Sequence, residues 1–334
     1  MTIRRFTVRR ESFPIRAGGF STSREAAAAK PRTEADVVTA EIAEAGRVGR
    51  GECVPYKRYG ESLDSVAAQI ETARALIESG GGRVELQSAL PHGAARNAVD
   101  CALWDLEAKR ASKRAWQLAG LAEPKPVVTC YTLSVDTAAK MGEAARANAS
   151  RPLLKLKLTG EGDLERVQAI RAGAPAARLV VDANEAWTIE HYQRFAPALA
   201  RLGVELIEQP LPAGKDADLA TVPHPVPVCA DESCHDRASL AELRGRYEAV
   251  NVKLDKTGGL TEALSLIAAA REAGFEIMVG CMGGTSLAMA PGMLVAQGAK
   301  WVDLDGPLIL ARDREPGLKF EGSIVHPPEA ALWG

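Results

Sequence analysis

Long hydrophobic runs are missing from this 334-residue chain: none approaches the roughly 20 apolar residues that span a bilayer, so no membrane-crossing helix is expected. A secretory leader is not expected either, because the charged start, Met1 to Arg5, is followed by no apolar core. Charge of one sign is scarce as well. A net charge of −2 gives no footing for a nucleic acid or an anionic membrane as partner. Paired cysteines are also absent. The six cysteines, at positions 53, 101, 130, 229, 234 and 281, are scattered with no C-x-x-C spacing, which reads as reduced core residues and makes a cytoplasmic location the default. Cys229, Cys234 and His235 lack the paired spacing of a zinc site.

What is present is ordinary globular composition, 46% hydrophobic and 25% charged, in a chain long enough for one large or two ordinary domains. Arg4–Ser12 and Asp36–Ala45 read as strands, and the Ala45-Gly46-Arg47 turn returns the chain into a third, Val48–Cys53. Between the first two, Gly18-Gly19 and Lys30-Pro31 punctuate a long loop, and such loops are usually functional or disordered. Ser62 is placed to cap a helix with Leu63, Val66, Ala67, Ile70 and Ala73 on one face. A second helix runs from about Ala94 to Ala111, its small residues suggesting close packing. Together these predict an α+β unit over residues 1–124, which Pro124-Lys125-Pro126 closes.

Beyond Pro126 the rhythm becomes strand, helix, strand, helix. Candidate strands are Val127–Thr132, Leu153–Leu158, Leu179–Asp182, Glu205–Glu208, Val226–Ala230, Ala249–Leu254, Glu276–Val279 and Trp301–Leu304, with helical patterns between them. Short, mostly apolar strands at this spacing fit a parallel barrel covered on both faces. No eighth helix follows Asp305-Gly306-Pro307. The expected fold is therefore α/β, a modified (β/α)7β TIM barrel over residues 125–310 with an N-terminal α+β capping domain. The tail, 311–334, is free to return to the cap. An open doubly wound sheet is the alternative, but no Gly-rich phosphate fingerprint follows the first strand.

The chemistry gathers around Leu153-Leu154-Lys155-Leu156-Lys157-Leu158, where alternation puts both lysines on one face. Lysines of this kind often guard a sheet edge against aggregation. The next strands, however, each end in an acid: Asp182, Glu208, then Asp231. Any one of these acids alone would read as a helix cap or a surface charge. Three carboxylates at matching positions of adjacent strands repel one another, and a dication is their natural partner. Hard oxygen ligands suit magnesium, with manganese as a substitute. Lys253 stands on the sixth strand, across the barrel from the second. Amines on opposite faces of a bound molecule are what inverting a carbon centre requires. A free lysine, with a pKa of about 10.4, is a poor base near neutrality. Neighbouring cations, the metal and Lys155 among them, are expected to bring Lys157 toward the range of about 7–8 that catalysis needs.

The words K-x-K, D-x-N, E-Q-P, A-D-E-S and N-x-K-x-x-K-x-G-G, spread over nearly the whole chain, resemble the enolase superfamily and its muconate-lactonizing-like branch. Within that branch, Gly51–Ser62, Ala95–Asp105, Lys253–Leu264, Gly280-Cys281-Met282 and Asp303–Pro307 are similar to the dipeptide epimerases of the L-Ala-D/L-Glu type. Sites of this superfamily combine a Lys or His base with magnesium that stabilises an enediolate. The resemblance implies magnesium on Asp182, Glu208 and Asp231, Lys157 and Lys253 as the two acid/base catalysts, and Lys155 holding the substrate carboxylate. It further implies that Asp303 and Asp305 meet a dipeptide's amino group and that Arg24 meets a glutamate side chain. Tyr56, Cys281 and Met282 complete the implied substrate contacts. Two departures concern side-chain specificity: the Glu25–Ala35 loop is longer than expected, and Gly283-Gly284 stands where bulkier residues are expected.

The implied activity is magnesium-dependent epimerisation of small dipeptides, plausible in cytoplasmic murein-peptide recycling. An o-succinylbenzoate synthase, an N-acylamino acid racemase and a muconate cycloisomerase share the metal ligands and lysines. They do not use an acid pair to bind an ammonium group, which favours a dipeptide. A non-catalytic binding protein on the same scaffold is a further alternative. Against it stand all three acids together with Lys157 and Lys253. Homo-oligomers are common among enzymes of this size, but no residue marks an interface.

Overall fold

The structure, a computed structural model, describes residues 4–16, 18–22 and 30–334. Arg24 and residues 25–29 of the Glu25–Ala35 loop, to which specificity roles are assigned above, lie outside the described residues. Three antiparallel strands open the chain in the order β1 (Arg5–Pro14), β2 (Glu34–Glu44), β3 (Arg47–Cys53). Ala45 and Gly46 join the last two with left-handed φ angles of 49° and 74°, a turn whose twist matches that of the strands. The alanine-rich helix Ala94–Ala111 packs on β3. A Cβ at Gly49 or Gly51 would stand 2.2 or 2.1 Å from the Ala102 or Ala98 carbonyl oxygen, so only glycine allows this approach. Val38, Ala40 and Ile42 of β2 meet Ile70, Leu86, Val99 and Leu103 in the core of this cap.

The short β4 (Val127–Val128) leads into eight parallel strands that neighbour one another in sequence order. They are β5 (Tyr131–Leu133), β6 (Leu153–Lys157), β7 (Arg178–Asp182), β8 (Val204–Glu208), β9 (Val228–Ala230), β10 (Ala249–Val252), β11 (Glu276–Val279) and β12 (Trp301–Val302). The sheet curls until its ends meet. There the Cys130 N–H donates to the Val302 carbonyl at 2.7 Å, and the Leu304 N–H donates to Thr129 Oγ1 at 2.8 Å. This is the TIM-barrel-like architecture expected, with an antiparallel cap before it.

Two details differ from the sequence expectation. Val127–Thr132 is not one strand, because Val127 and Val128 pair with the distant tail while Tyr131 begins the barrel. Two of the seven connections also lack a full helix. Residues 217–221, and 237–239 with one added turn, are short 3-10 pieces. In the first of these connections, Pro210, Pro212, Pro223, Pro225 and Pro227 withhold the N–H groups a longer helix needs. In the tail, β13 (Phe320–Glu321) and β14 (Ile324–Val325) form a hairpin on β4. The chain end then clips onto the cap: Trp333 Nε1 donates to the Cys101 carbonyl (3.0 Å) and the Gly334 N–H to Asp105 (2.8 Å). Among the described residues, no helix is long and apolar enough to cross a membrane.

Candidate active site

Alternation decides which side chains enter the barrel. Leu153, Val180, Leu206, Cys229, Ala249, Met278 and Trp301 pack with Cys130 as one apolar layer. Two positions further along their strands come Lys155, Asp182, Glu208, Asp231, Asn251 and Asp303, and two further again Lys157, Lys253 and Asp305, all of them buried. Leu154 and Leu156, on the other face of β6, join the core beneath the helices. The two lysines of β6 therefore point into the barrel, and the edge-guard reading does not apply to them. Register aligns the acids as well: Lys157 is opposite Asp182, and Asp182 is opposite Glu208.

Each amine is held by a carboxylate. Lys157 Nζ donates to Asp182 Oδ2 at 2.6 Å, and Lys253 Nζ to Asp231 Oδ2 at 2.6 Å. Lys155, only 1% exposed, lies 2.7 Å from Glu208, 2.8 Å from Asp303 and 3.2 Å from Asp182. At Lys253 and Lys155 the surrounding carboxylates decide the direction. Burial alone would lower Lys253, but Asp231 and Glu208 outweigh it and hold Lys253 well above its ordinary value. Burial is likewise outweighed at Lys155, where Asp303, Glu208 and Asp182 hold the amine well above its ordinary value. The charges nearest these two amines are anions. On the acid side, burial opposes ionisation of Asp182, but Lys157 and Lys155 prevail and hold it down at about 2. Asp231 is held well below its ordinary value, with Lys253 and Lys256 overcoming burial. Burial and the Asp182 charge push Glu208 up to about 7.

Several residues of this site carry no role in the sequence reading. Lys256 is fully buried and donates to Asp231 Oδ1 (2.7 Å) and to the Asn251 carbonyl (2.8 Å). Gln209 Oε1 accepts from the Asp231 N–H (2.8 Å) and Ser233 N–H (3.1 Å), while its amide nitrogen donates to the Leu211 carbonyl, Ser233 and Tyr247. These bonds fix where Asp231 leaves β9. Glu232 is buried and pushed up to about 8 by burial and by Asp231. Lys256 and Gln209 both lie inside motifs quoted above; a polar residue repeated in such a word was the available signal.

A cleft open to solvent lies above the lysines. Lys155, Lys157, Lys253, Asp303 and Asp305 line it together with Tyr56, Cys281 and Met282, so the described residues assigned to substrate share one cavity. Asp305 Oδ2 accepts the Thr132 N–H at 2.7 Å, and burial and Asp303 push its carboxyl up to about 7. Phe20, Thr22, Arg32 and Val54 of the cap form the opposite wall. Arg32 was not singled out from the sequence. Its backbone exchanges two 2.9 Å hydrogen bonds with Phe20, and its guanidinium stands 5.6 Å from the Phe20 ring centre. A Cβ at Gly283 would lie in ordinary contact with Ile309 (3.6 Å) and Arg32 Nη2 (4.0 Å), so this glycine sits beside the guanidinium.

Among the described residues, no three acid, histidine or cysteine side chains converge as they stand into a cage for an ion. Asp182, Glu208 and Asp231 instead lean toward lysines. The donor set nevertheless suits a hard dication. Six buried carboxylates (Asp182, Glu208, Asp231, Glu232, Asp303, Asp305) face four buried lysines (155, 157, 253, 256), leaving a formal surplus of two negative charges. Burial first, and the neighbouring carboxylates second, raise Glu208, Glu232 and Asp305. Oxygen donors with excess negative charge are what magnesium prefers.

Comparison with known proteins agrees with this geometry. The chain is 50% identical to the L-Ala-D/L-Glu epimerase of Escherichia coli (strain K12) over 297 residues, 88% of this chain and 92% of that protein. It is 46% identical to the N-acetyl-D-glutamate racemase of a Pseudoalteromonas species, over 88% of this chain and 93% of that one. A solved enolase family member from Agrobacterium tumefaciens with homology to dipeptide epimerases, holding sodium and L-Ala-L-Glu, superposes with a TM-score of 0.95 at 53% identity. It covers 99% of this chain and all of that one. The Enterococcus faecalis V583 dipeptide epimerase, complexed with Mg and L-Leu-L-Tyr, superposes at 0.88 with 29% identity over 98% of each chain. The mandelate racemase / muconate lactonizing enzyme N-terminal domain matches residues 20–120 and the enolase C-terminal domain-like model residues 136–331, so the chain belongs to the mandelate racemase / muconate lactonizing enzyme family of the enolase superfamily.

Proposed function

We propose that this protein is an isomerase that epimerises dipeptides of the L-Ala-D/L-Glu type, moving the α-proton beside the carboxylate between two lysines. The observation that carries this reading is that Lys157 and Lys253 rise from β6 and β10, with three strands between them, into one cleft. One amine takes the α-proton, and the electron pair left behind spreads onto the carboxylate oxygens. The other ammonium returns a proton to the opposite face. Lys253, held protonated beside Asp231, is in the proton-donating form. Lys155 stays charged and is placed as a fixed cation where negative charge develops, an arrangement whose worth lies in needing no reorganisation. Asp182, Glu208 and Asp231 would hold magnesium, with manganese as a substitute, and when bound it would polarise the substrate carboxylate and balance that charge.

At the far end, Asp303 and Asp305 are assigned to the dipeptide's ammonium group, and Tyr56, Cys281 and Met282 to the walls around the substrate. Arg24 keeps its assignment to the side-chain carboxylate, and Arg32 is a second candidate for it because its guanidinium faces the cleft. Arginine suits bidentate carboxylate recognition. The reading divides the chain into a cap (1–124), a barrel (125–310) and a tail (311–334), supported by the return of Trp333 and Gly334 to the cap helix. It also includes a cytoplasmic setting and a part in murein-peptide recycling; six free cysteines accord with a reducing compartment.

Similarity to an N-acetyl-D-glutamate racemase favours a second reading, in which an N-acylated glutamate reacts at the same lysines. The two substrates differ at the group that would meet Asp303 and Asp305. Incubation with L-Ala-L-Glu or N-acetyl-L-glutamate in D₂O with Mg²⁺, following loss of the Cα proton signal, separates them. Faster exchange of the dipeptide is expected. Exchange of N-acetyl-L-glutamate alone would establish the second reading, and no exchange with any L-Ala-L-Xaa would end the first.

A further inference from the structure

The segment after β11 that carries the cleft wall of Cys281, Met282 and Gly283 is bonded to the cap just beyond that wall, at Thr285. Glu52, in β3 and 1% exposed, accepts three hydrogen bonds: from the Thr285 N–H (2.8 Å), the Thr285 hydroxyl (2.6 Å) and Arg314 Nε (2.7 Å). The remaining guanidinium nitrogens of Arg314 donate to both oxygens of Glu11 in β1 (3.1 and 2.7 Å) and to Thr39 Oγ1 in β2 (2.9 Å). Thr39 in turn donates to Glu11 at 2.7 Å. The Phe13 ring lies under the guanidinium, 4.9 Å from its centre. One planar side chain thus joins all three cap strands to the segment after β11. The neighbouring Asp313 accepts from the Ser286 N–H at 2.9 Å and from the Ser286 hydroxyl, pinning the same turn from the other side. Gly284 completes the fit, since a Cβ there would stand 2.9 Å from Val54 Cγ2 and 3.2 Å from Glu52 Oε1.

We infer that Arg314, Glu52 and Thr285 are positioning residues that set the Cys281–Gly283 wall against the cap and thereby set the affinity for substrate. This rests on the cleft being the active site. A buried ion pair of this kind is a weak source of stability, and its attested use is to fix one arrangement among several. None of the three belongs to the lysines and carboxylates assigned to proton transfer, so their loss bears on substrate binding and leaves the chemical step intact. Arg314 suits the task because three of its nitrogens reach partners on different strands at fixed angles, a fork that lysine cannot reproduce.

The test compares wild type, Arg314→Leu, Arg314→Lys, Thr285→Val and Thr285→Ser. Two readouts are used: Cα-proton exchange of L-Ala-L-Glu, and amide hydrogen exchange across residues 281–287. For Arg314→Leu and Thr285→Val we expect KM to rise about tenfold with kcat within about twofold. Amides of 281–287 should exchange about tenfold faster while those of β6 and β10 hold their rates. Thr285→Ser, which keeps the hydroxyl, should match wild type, and Arg314→Lys should recover only part of the loss. A fall in kcat with KM unchanged, or unaltered amide exchange at 281–287, overturns the inference. Should Arg314→Leu fail to fold, Thr285→Val with its serine control decides. If wild type turns over no dipeptide, the functional reading has failed separately, and amide exchange alone decides the positioning claim.

Discussion

Replacing Lys155 with methionine keeps most of the side-chain volume and removes an ammonium that touches Asp182, Glu208 and Asp303 together, at 3.2, 2.7 and 2.8 Å. Removing one partner of a buried ion pair costs about 3–5 kcal/mol, because the remaining charge is left uncompensated. At roughly 2 °C per kcal/mol for a large domain, the thermal midpoint should fall by about 6–10 °C. Measured in a chelator, the protein's own groups are the only counter-charges. The pH dependence follows from Glu208, whose folded value of about 7 lies above the ordinary 4.5 of a glutamate. A carboxyl raised on folding favours the folded state most below its unfolded pKa, and that contribution is lost as pH rises through the folded one. Without the Lys155 charge Glu208 rises further, so at pH 5 the variant protonates it and regains part of the loss. The penalty should therefore be largest at pH 8 and shrink toward pH 5. A midpoint shift under about 2 °C at pH 8, or the same shift at both pH values, would refute this account of the buried charges.

Three further outcomes are expected. Arg32→Met should raise KM for L-Ala-L-Glu by about 10- to 100-fold, the scale of a lost charge-assisted hydrogen bond, while leaving a dipeptide with a neutral second residue unchanged. Equal losses on both substrates would remove Arg32 from side-chain recognition. Chelation should abolish turnover and Mg²⁺ should restore it; thermal unfolding should also move up with added Mg²⁺, by about 2.7 kcal/mol at 100 times its Kd. Activity that persists in chelator would contradict the assignment to Asp182, Glu208 and Asp231. Asp303→Asn should impair L-Ala-L-Glu more than N-acetyl-L-glutamate if Asp303 meets the ammonium group, and an equal effect in steady-state exchange would count against that placement.

Much of the site was legible because it follows the strictest rule a sequence can carry, alternation along a strand. Once Leu153 is inside the barrel, Lys155 and Lys157 must follow it, and the same step takes Val180 to Asp182 and Leu206 to Glu208. What the sequence hid depends on contacts between distant segments. The pairing of Val127–Val128 with Ile324–Val325 split a strand that local pattern joins. Arg32 reaches the cleft because a backbone bridge to Phe20 holds it there, across a loop whose path local rules do not set. The anions around Lys155 were hidden for a related reason. Spacing shows that Lys155 and Lys157 share a face, but only packing shows that Asp303 and Glu208 stand closest to Lys155. The proline-broken connection after β8 is different, since its five prolines were in view and argued against a full helix.

The most direct test of the two-lysine claim is exchange of the Cα proton in D₂O, started separately from L-Ala-L-Glu and L-Ala-D-Glu, with Lys157→Ala and Lys253→Ala each compared with wild type. Lys157 and Lys253 enter the cleft from β6 and β10, so each variant should lose exchange from one isomer and keep it from the other, with the isomers reversed between the two. Loss of the same isomer in both variants, or undiminished exchange from both isomers in either, would contradict proton transfer from opposite faces.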